Sequence, residues 1–408
     1  MVDEWLDFYL REEDLNILFV HEVDWMRKVV FDIQLLAEAM SLKGHRVYAI
    51  DYPSMGSNPK EEIASRAIPK SSVHLVHPSR IRIEGLSRMS SFISHYFTIE
   101  RIIKKGYIDA IVLYSVPTNG LQAVYWAKKF NIPVVFRSID VLNQLVPYPI
   151  LRSITRYLEG KVYSKVDKVL TITPKLSEYV IGLGASPEKV SVLPMTVDTN
   201  LFCPSEIKNG LRSKWGLGDD DKVILFMGTL FNFSGLDSFL YHFPLIKRQV
   251  PEAKMLIVGD GEQRKKLEGI IALLDLRERV IITGFQPYQD MPQYINLADV
   301  CLNTFVSNSI TKDIFPGKTV QFLACGKPLV MRSLAGVKAV ISGEKQGVVY
   351  ADNDNRIVAV ISSLLESPEK RKEIGDNGLK YVKAHNSERV AEQLEAELVG
   401  LVDGRKSG

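Results

Sequence analysis

The chain has 408 residues, 46% of them hydrophobic and 24% charged, which is material for two cores of an ordinary globular protein. Its net charge of +3 is too small to argue for nucleic acid as a partner, and the three cysteines, Cys203, Cys301 and Cys325, lack the CxxC spacing of a metal cluster. No apolar run nears the roughly 18 residues of a membrane span, and the opening MVDEWLDFYLREEDLN is too acidic for a signal peptide. The expectation is a cytoplasmic protein of a reducing compartment, with peripheral attachment to the inner face of a membrane left open.

In chain order, Asn16–His21 (NILFVH) predicts the first strand. A helical spacing over Val30–Leu42 stops at Gly44, where glycine suits a left-handed C-cap. Val47–Ile50, Ile108–Tyr114, Val134–Phe136 and Val169–Ile172 predict further strands separated by helical segments. This alternation predicts a parallel sheet covered on both faces. The pattern loosens across 197–215, read as a domain crossing. A second series then follows: Val223–Met227, a helix from Leu236, Lys254–Val258, a helix over Glu262–Leu274, Val280–Thr283, a helix over Met291–Leu297, Val300–Thr304, a helix from near Thr319, and Pro328–Met331. The fold class expected is α/β, two Rossmann-like domains facing across a cleft, over 1–203 and 204–386, with a helix in 387–408 packing back on the first. Ligands in such sheets bind at the carboxyl ends of the strands, and a cleft between two halves is the default site.

The stretch DIFPGKTVQFLACGKPLV (313–330) carries the sharpest signal. Pro316 and Gly317 form a turn in which glycine lets a ligand approach the backbone. Lys318 brings a charge suited to phosphate, and Thr319 opens a helix whose first N–H groups favour anions. Asp313 and Gln321 flank the turn and offer hydrogen bonds to sugar hydroxyls. The competing reading is a loop with a solvated lysine. Gly259 and Gly261 in VGDG, Gly228 in MGTLFNFSGLD and Gly284 in ITGFQP each end a predicted strand, so they converge on the edge that carries Lys318.

In the first half, His21, Glu22, Asp24 and Lys28 follow the first strand, and either bind an acceptor or form an ordinary solvated loop. Arg137 and Asp140 end another strand, as site residues or as an ion pair; Glu159 reads as structural. Asp352 and Asp354 make a DxD pair, but in a turn setting that argues against a metal. The seven histidines show no ligand spacing. Residues 79–105 mix Arg80, Arg82, Arg88, Arg101, Lys104 and Lys105 with Phe92, Ile93, Tyr96 and Phe97. Such a stretch either lies on an anionic membrane or is a core helix with a charged outer face.

Several stretches in order, LAEAMSLKGHRVYAI (36–50), KVDKVLTITPKLSEYVIGLGASPEKVSVLPMTVDTNLFCP (165–204), VGDGEQRKKLE (258–268), RVIITGFQPYQDMPQYINLADVCLNTF (279–305) and FPGKTVQFLACGKPLV (315–330), resemble the family 4 glycosyltransferases, retaining enzymes of the GT-B fold. The resemblance implies sugar transfer from a nucleotide-diphosphate sugar, such as a UDP- or GDP-sugar, to a hydroxyl of a glycan or lipid-linked acceptor, without metal or cofactor. Asp313 and Gln321 fall where the family has two glutamates, one for the donor sugar and one for the ribose. Lys318 matches a lysine facing the diphosphate in a branch that reads P-x-K. Gly259 and Gly261 would flank the nucleotide, and Gly284–Phe285 would lie beside the base. The chain departs from the family at Thr229 and Ser234, which replace an arginine and a lysine, at Ile139, which stands where a histidine is common beside Asp140, and at His21-Glu22-Val23-Asp24, which replaces a glycine-rich loop. The implied catalytic group is Lys318, Asp313 and Asp140. Alternatives are an inactive GT-B subunit that binds a partner and, more distantly, a nucleotide-sugar epimerase.

Overall fold

The computed structural model describes residues 14–27, 29–52, 59–81, 86–146 and 148–407. The chain divides into two compact units. Unit 1 takes the chain up to Ile172, Leu176–Pro194 and Ser387–Gly408; unit 2 takes Thr173–Lys175 and Met195–Asn386. The crossing therefore falls at Pro194–Met195, ahead of the 203/204 boundary expected from sequence, because the intervening segment bonds to unit 2. Val197 N–H donates to the His385 carbonyl at 2.8 Å, and Phe202 meets Tyr288 ring to ring at 5.4 Å.

The strands of unit 1 are β1 (Asn16–Val20), β2 (Arg46–Ile50), β3 (Lys60–Ala64), β4 (Val73–His77), β5 (Ala110–Leu113), β6 (Val134–Ser138), β7 (Lys168–Thr171) and β8 (Val190–Val192). They form one sheet in the order β3-β4-β2-β1-β5-β6-β7-β8, parallel except for the β3–β4 pair. The helices are α1 (Asp32–Leu42), α2 (Leu86–Gly106), α3 (Gly120–Lys129), α4 (Leu142–Leu145), α5 (Pro149–Tyr163) and α6 (Pro174–Gly182). Side chains alternate across a strand. Leu18 and Val20 join a core with Ile99 and Ile102 of α2, Ala123 and Ala127 of α3, and Val162 of α5. Ile17 and Phe19 join the opposite core with Ile33 and Leu36 of α1.

Unit 2 has β9 (Lys222–Met227), β10 (Ala253–Val258), β11 (Val280–Gly284), β12 (Val300–Asn303), β13 (Leu329–Met331) and β14 (Val348–Tyr350), in the all-parallel order β11-β10-β9-β12-β13-β14. Its helices are α7 (Leu211–Lys214), α8 (Leu236–Gln249), α9 (Arg264–Leu273), α10 (Met291–Leu297), α11 (Lys318–Ala324), α12 (Ala335–Lys338), α13 (Asp354–Glu366) and α14 (Pro368–Val382). The chain then returns to unit 1 as α15 (Ser387–Lys406), which packs on α1 and buries Val390, Ala391, Leu394, Leu398 and Val402 in the Ile17–Phe19 core.

Strand order reverses at β1/β5 in unit 1 and at β9/β12 in unit 2. At such a switch point the two flanking loops run off in opposite directions and leave a crevice at the strand ends. The sequence motifs that point to chemistry cluster at these two places.

Candidate active site

In unit 2, the crevice is lined by Gly228 after β9 and by Thr304 and Phe305 after β12. Lys318, the first residue of α11, reaches into it. Its Nζ lies 3.9 Å from the Phe226 ring centroid and 4.3 Å from that of Phe305. A Cβ on Gly228 would stand 3.8 Å from the same Nζ. Lys318 is thus enclosed between two aromatic faces instead of extending as a solvated charge. Burial pushes its ammonium down to about 7, an effect that neighbouring Cys301 opposes slightly. The residue keeps part of its surface exposed, but Nζ itself is shielded and finds no hydrogen-bond partner among the described residues. Thr319 Oγ1 and Asn303 Nδ2 are likewise buried and without a partner. Buried polar atoms are nearly always bonded. Asn303 closes β12 and Thr319 follows Lys318 in α11, and the unbonded ammonium of Lys318 is the group that an anion in this crevice would satisfy.

The glycines around this crevice first serve the protein itself. Gly259 has φ +151°, and a Cβ there would come 2.0 Å from the Gly228 carbonyl oxygen. Gly261, at φ +158°, would come 2.7 Å from the Leu230 oxygen. The two loops are tied by Gly228 N–H to the Val258 carbonyl at 2.9 Å and Leu230 N–H to the Asp260 carbonyl at 3.0 Å. Gly259 also makes an isolated antiparallel bridge to Gly284. The strand-end glycines are therefore the condition for three loops to lie side by side. Thr229 and Ser234 sit on the first of these loops; the Ser234 carbonyl accepts the Thr304 hydroxyl at 2.6 Å, which pins that loop to the end of β12. Phe285 is 63% exposed beside Gly284, an open aromatic face at this edge.

Around Lys318, Pro316 is buried and its carbonyl accepts the Thr319 N–H at 2.9 Å. Gly317 has a right-handed φ of −56°, so its lack of a side chain matters for space, with the Met195 methyl 3.9 Å from where a Cβ would be. Asp313 is partly exposed and lies 3.8 Å from Lys312 Nζ. Gln321 is half-buried one turn along α11. Arg264, beside Gly284, holds Asp260 at 2.7 Å and Glu268 at 2.8 Å. Sequence reading passed over Arg264, Phe226, Phe305 and Asn303 because their nearness to Lys318 or to the glycine loops is tertiary.

In unit 1, the switch point is densely polar. His21 is buried; its Nδ1 accepts the Val23 N–H at 3.1 Å and its Nε2 has no partner. Asn119 Nδ2 donates to the His21 carbonyl at 2.8 Å and lies 3.1 Å from His95 Nδ1. Burial lowers both imidazoles to about 4, so both are neutral at pH 7. Glu22 accepts the Thr118 N–H at 2.6 Å, and Asp24 accepts the Met26 and Arg27 N–H groups. These three residues are hence parts of a bonded turn as well as neighbours of the crevice; Lys28 lies outside the described residues. His95 was missed because it sits inside a stretch read only for its cations and rings.

Arg137 corrects an expectation. It is fully buried, with Nε 2.9 Å from Asp32 Oδ2, Nη1 donating to the Leu193 carbonyl and Nη2 donating to the Pro194 carbonyl at 2.8 Å. Tyr114 closes the group by donating to the same Asp32 oxygen at 3.1 Å. The donors are spent inside unit 1, so the side chain is a structural ion pair and not an acceptor contact. Asp140, just beyond β6, differs: it keeps part of its surface exposed, but desolvation with no offsetting cation among the described residues pushes its carboxyl up to about 7. Glu159 is buried and accepts from Asn143 and Tyr179, each at 2.9 Å, as a structural carboxylate. Asp354 bonds Arg332 and Ser238, which consumes the carboxylate a metal would need.

A cavity of about 780 Å³ lies beside α2, lined by Arg80, Ile81, Met89, Ile93, Phe97 and Arg101 among others. Arg82 and the Arg88 side chain lie outside the described residues. No helix among the described residues is long and apolar enough to cross a membrane.

Comparison with known proteins bears on both units. Residues 33–201 match the family described as glycosyltransferase family 4, and residues 208–381 match glycosyl transferases group 1. A D-inositol 3-phosphate glycosyltransferase of Segniliparus rotundus is 26% identical over 66% of this chain and 59% of its own length. The chain thus spans less than two thirds of that relative. An alpha-monoglucosyldiacylglycerol synthase of Acholeplasma laidlawii is 22% identical over 92% of this chain and 94% of its own. Sucrose-phosphate synthase of Thermosynechococcus elongatus superposes with a TM-score of 0.77 at 18% identity, over 96% of this chain and all of that one.

Proposed function

The chain belongs to the family 4 glycosyltransferases of the GT-B fold, and on that premise we propose that it moves a glycosyl group from a nucleoside-diphosphate sugar to a hydroxyl of a lipid-linked acceptor, with retention and without metal. The observation that carries the reading is Lys318 in the crevice of unit 2, its Nζ enclosed by the Phe226 and Phe305 rings and without a hydrogen-bond partner among the described residues. A diphosphate there would meet that ammonium. Its charge would also draw a proton onto Lys318, whose ammonium burial pushes down to about 7. As the diphosphate leaves, negative charge grows on it, and a cation in an enclosed site is worth far more against that charge than in water. Asp313 and Gln321 are assigned to the sugar and ribose hydroxyls, Gly259, Gly261 and Phe285 to the nucleoside side.

On the acceptor side, Asp140 is assigned to the acceptor hydroxyl. A carboxyl with pKa near 7 can accept or donate a hydrogen bond there. The acceptor proton itself passes to a phosphate oxygen of the donor, so no strong protein base is required. The cavity beside α2 suits the apolar part of a lipid, and 79–105 supplies the peripheral membrane contact. The match to an alpha-monoglucosyldiacylglycerol synthase over 92% of this chain supports a lipid acceptor.

The test is a thermal-shift panel of UDP, GDP, ADP, CMP and dTDP and their sugars, on the wild type and Lys318→Ala. A ligand at 100 times its dissociation constant adds about 2.7 kcal/mol, a rise of several degrees. One nucleotide raising the midpoint, and less so in the variant, names the donor base. No rise with any of them at millimolar ligand would sink the proposal.

A further inference from the structure

At the β1/β5 switch point of unit 1, several hydrogen-bond donors stand buried and unused. His21 follows β1 and is 1% exposed. Its Nδ1 accepts the Val23 N–H at 3.1 Å, so the proton of the neutral ring sits on Nε2. That N–H has no partner among the described residues. Trp25 is fully buried, with its ring centroid 5.3 Å from that of His21, and its indole N–H is likewise unpartnered. The Tyr52 hydroxyl is a third such group, on a ring 5.7 Å from that of His95. Buried polar atoms left unbonded are uncommon, and each asks for a partner.

Asn119 ties the group together. It is wholly buried and every polar atom of its side chain is used. Its Nδ2 donates to the His21 carbonyl at 2.8 Å and to His95 Nδ1 at 3.1 Å, and its Oδ1 accepts the Ser115 hydroxyl. The amide points this way because the His21 carbonyl can only accept. His95 Nδ1 is therefore an acceptor too, and its proton also lies on Nε2. Gln122, three residues further on, adds a buried acceptor: its Oε1 has no partner, while its amide nitrogen is spent on the Phe92 and Thr118 carbonyls.

The charges around these groups do not favour an anion. Glu22 accepts the Thr118 N–H beside Asn119, Asp51 accepts the Trp25 N–H at 2.7 Å, and Asp24 and Asp51 both act on His21. Against them stand Arg66, which donates to the Trp25 carbonyl at 2.7 Å, and Arg80, 5.0 Å over the Tyr52 ring. His77 lies between Asp51 and Glu62, and Arg137 is spent on Asp32. Both crevice imidazoles are neutral at pH 7. A phosphate would find donors here, but no surplus of cations and several carboxylates.

We infer that this crevice is a subsite for an uncharged polyol, the sugar or other hydroxyl-rich headgroup of the acceptor, and that it discriminates against a headgroup that carries phosphate. A hydroxyl accepts from the His21 or Tyr52 donor and passes its own proton on to an acceptor such as Gln122 or a carboxylate. A phosphate dianion has no proton to pass on. The inference rests on the proposed hydroxyl acceptor and narrows its class.

The experiment is a saturation-transfer NMR titration of the full chain, without nucleotide, with three pairs of probes: methyl α-D-glucopyranoside and glucose 6-phosphate, methyl α-D-mannopyranoside and mannose 6-phosphate, myo-inositol and myo-inositol 1-phosphate. At least one uncharged probe is expected to bind, and its phosphate to bind about tenfold more weakly, since like charges brought together are costly. His21→Asn keeps an acceptor for the Val23 N–H and removes the Nε2 donor; Tyr52→Phe removes only the hydroxyl. Each should weaken the uncharged probe about fivefold, the worth of one neutral hydrogen bond. Tyr52→Phe should leave the thermal midpoint at or above that of the wild type, because an unsatisfied buried group is gone. Nitrogen-15 spectra should show His21 and His95 as Nε2–H tautomers. The inference is overturned if a phosphate binds as tightly as its uncharged partner, if no uncharged probe binds, if both variants bind like the wild type, or if either ring carries its proton on Nδ1. Polyol binding without any nucleotide effect would sink the transferase reading and leave this one standing; a nucleotide effect without polyol binding would overturn this one alone.

Discussion

The two strand-end crevices solve opposite problems. In unit 1 the charged groups near the strand ends are mostly paired with one another, Arg137 with Asp32, Leu193 and Pro194, and Asp51 with His77 at 2.8 Å, while His21 Nε2 has no partner among the described residues. In unit 2 the edge is made of glycines and aromatic rings, and Lys318 Nζ lies between two ring faces with no hydrogen-bond partner among the described residues. The first arrangement holds its shape without a ligand. The second encloses a cation that an anion, or loss of its own proton, would relieve. A charged residue at a strand end is therefore a poor guide to function until its partners are known.

The strongest way to break this contrast is Arg137→Met. Removing one partner of a buried pair leaves Asp32 charged without its counter-ion, and stability in urea should fall by about 3–5 kcal/mol. Adding Asp32→Leu should recover much of that. If Arg137→Met unfolds like the wild type, the pair is not structural. Next comes Lys318→Met, which should lower turnover on the order of a hundredfold or more while leaving the thermal midpoint unchanged or raised, because an enclosed cation is removed. Loss of both activity and stability would mean that Lys318 is a structural residue like Arg137. Smaller again is Gly259→Ala. A side chain at φ +151° and 2.0 Å from the Gly228 oxygen should cost about 1–3 kcal/mol in unfolding experiments, and it should weaken nucleotide binding by parting the loops. Unaltered stability would show that the close loop contact is dispensable.

The finest test is pH. His21 and His95 fall from 6.5 to about 4 in the folded chain. The unfolded chain binds their protons first, so their contribution is complete above pH 6.5 and is lost as pH falls towards 4. Asp140 works against them: its carboxyl rises from 3.8 to about 7, so its contribution is present below pH 3.8 and is lost as pH rises through 7. Lys318 falls from 10.5 to about 7, so unit 2 gains stability as pH rises between those values. Unfolding curves of His21→Gln/His95→Gln should flatten only the acid window, and those of Lys318→Met only the alkaline one. A variant that changed both windows would undo the separation of the two units.

Much of this was legible in the sequence. The strands of unit 2 except β14, and most of those of unit 1, show as apolar runs, since a parallel sheet buries both faces, whereas the three-residue β8 and β14 are too short to stand out. The exceptions are instructive. β3, KEEIA, is an exposed edge whose charges discourage pairing with other chains. β4, VHLVH, hides behind two histidines, one of which, His77, bonds Asp51 and Glu62. FPGK stood out because its glycine, lysine and helix start are contiguous. The rings that enclose Lys318 did not, because Phe226 and Phe305 meet only once β9 and β12 lie side by side. Arg137 was misjudged for the same reason, its carboxylate partner being 105 residues away.

The return of α15 to unit 1 has a consequence for how the protein is made. Val390, Ala391, Leu394, Leu398 and Val402 complete the Ile17–Phe19 core, and each of the valines and leucines stabilises by about 1.5–3 kcal/mol when buried. The ribosome delivers them only after every residue of unit 2. The unit whose synthesis starts first is therefore the one that finishes last. It must wait with an open apolar face while unit 2, whose residues emerge almost as one uninterrupted segment, folds ahead of it. Nascent unit 1 is thus the stage at which a chaperone or a neighbouring chain has the most to bind.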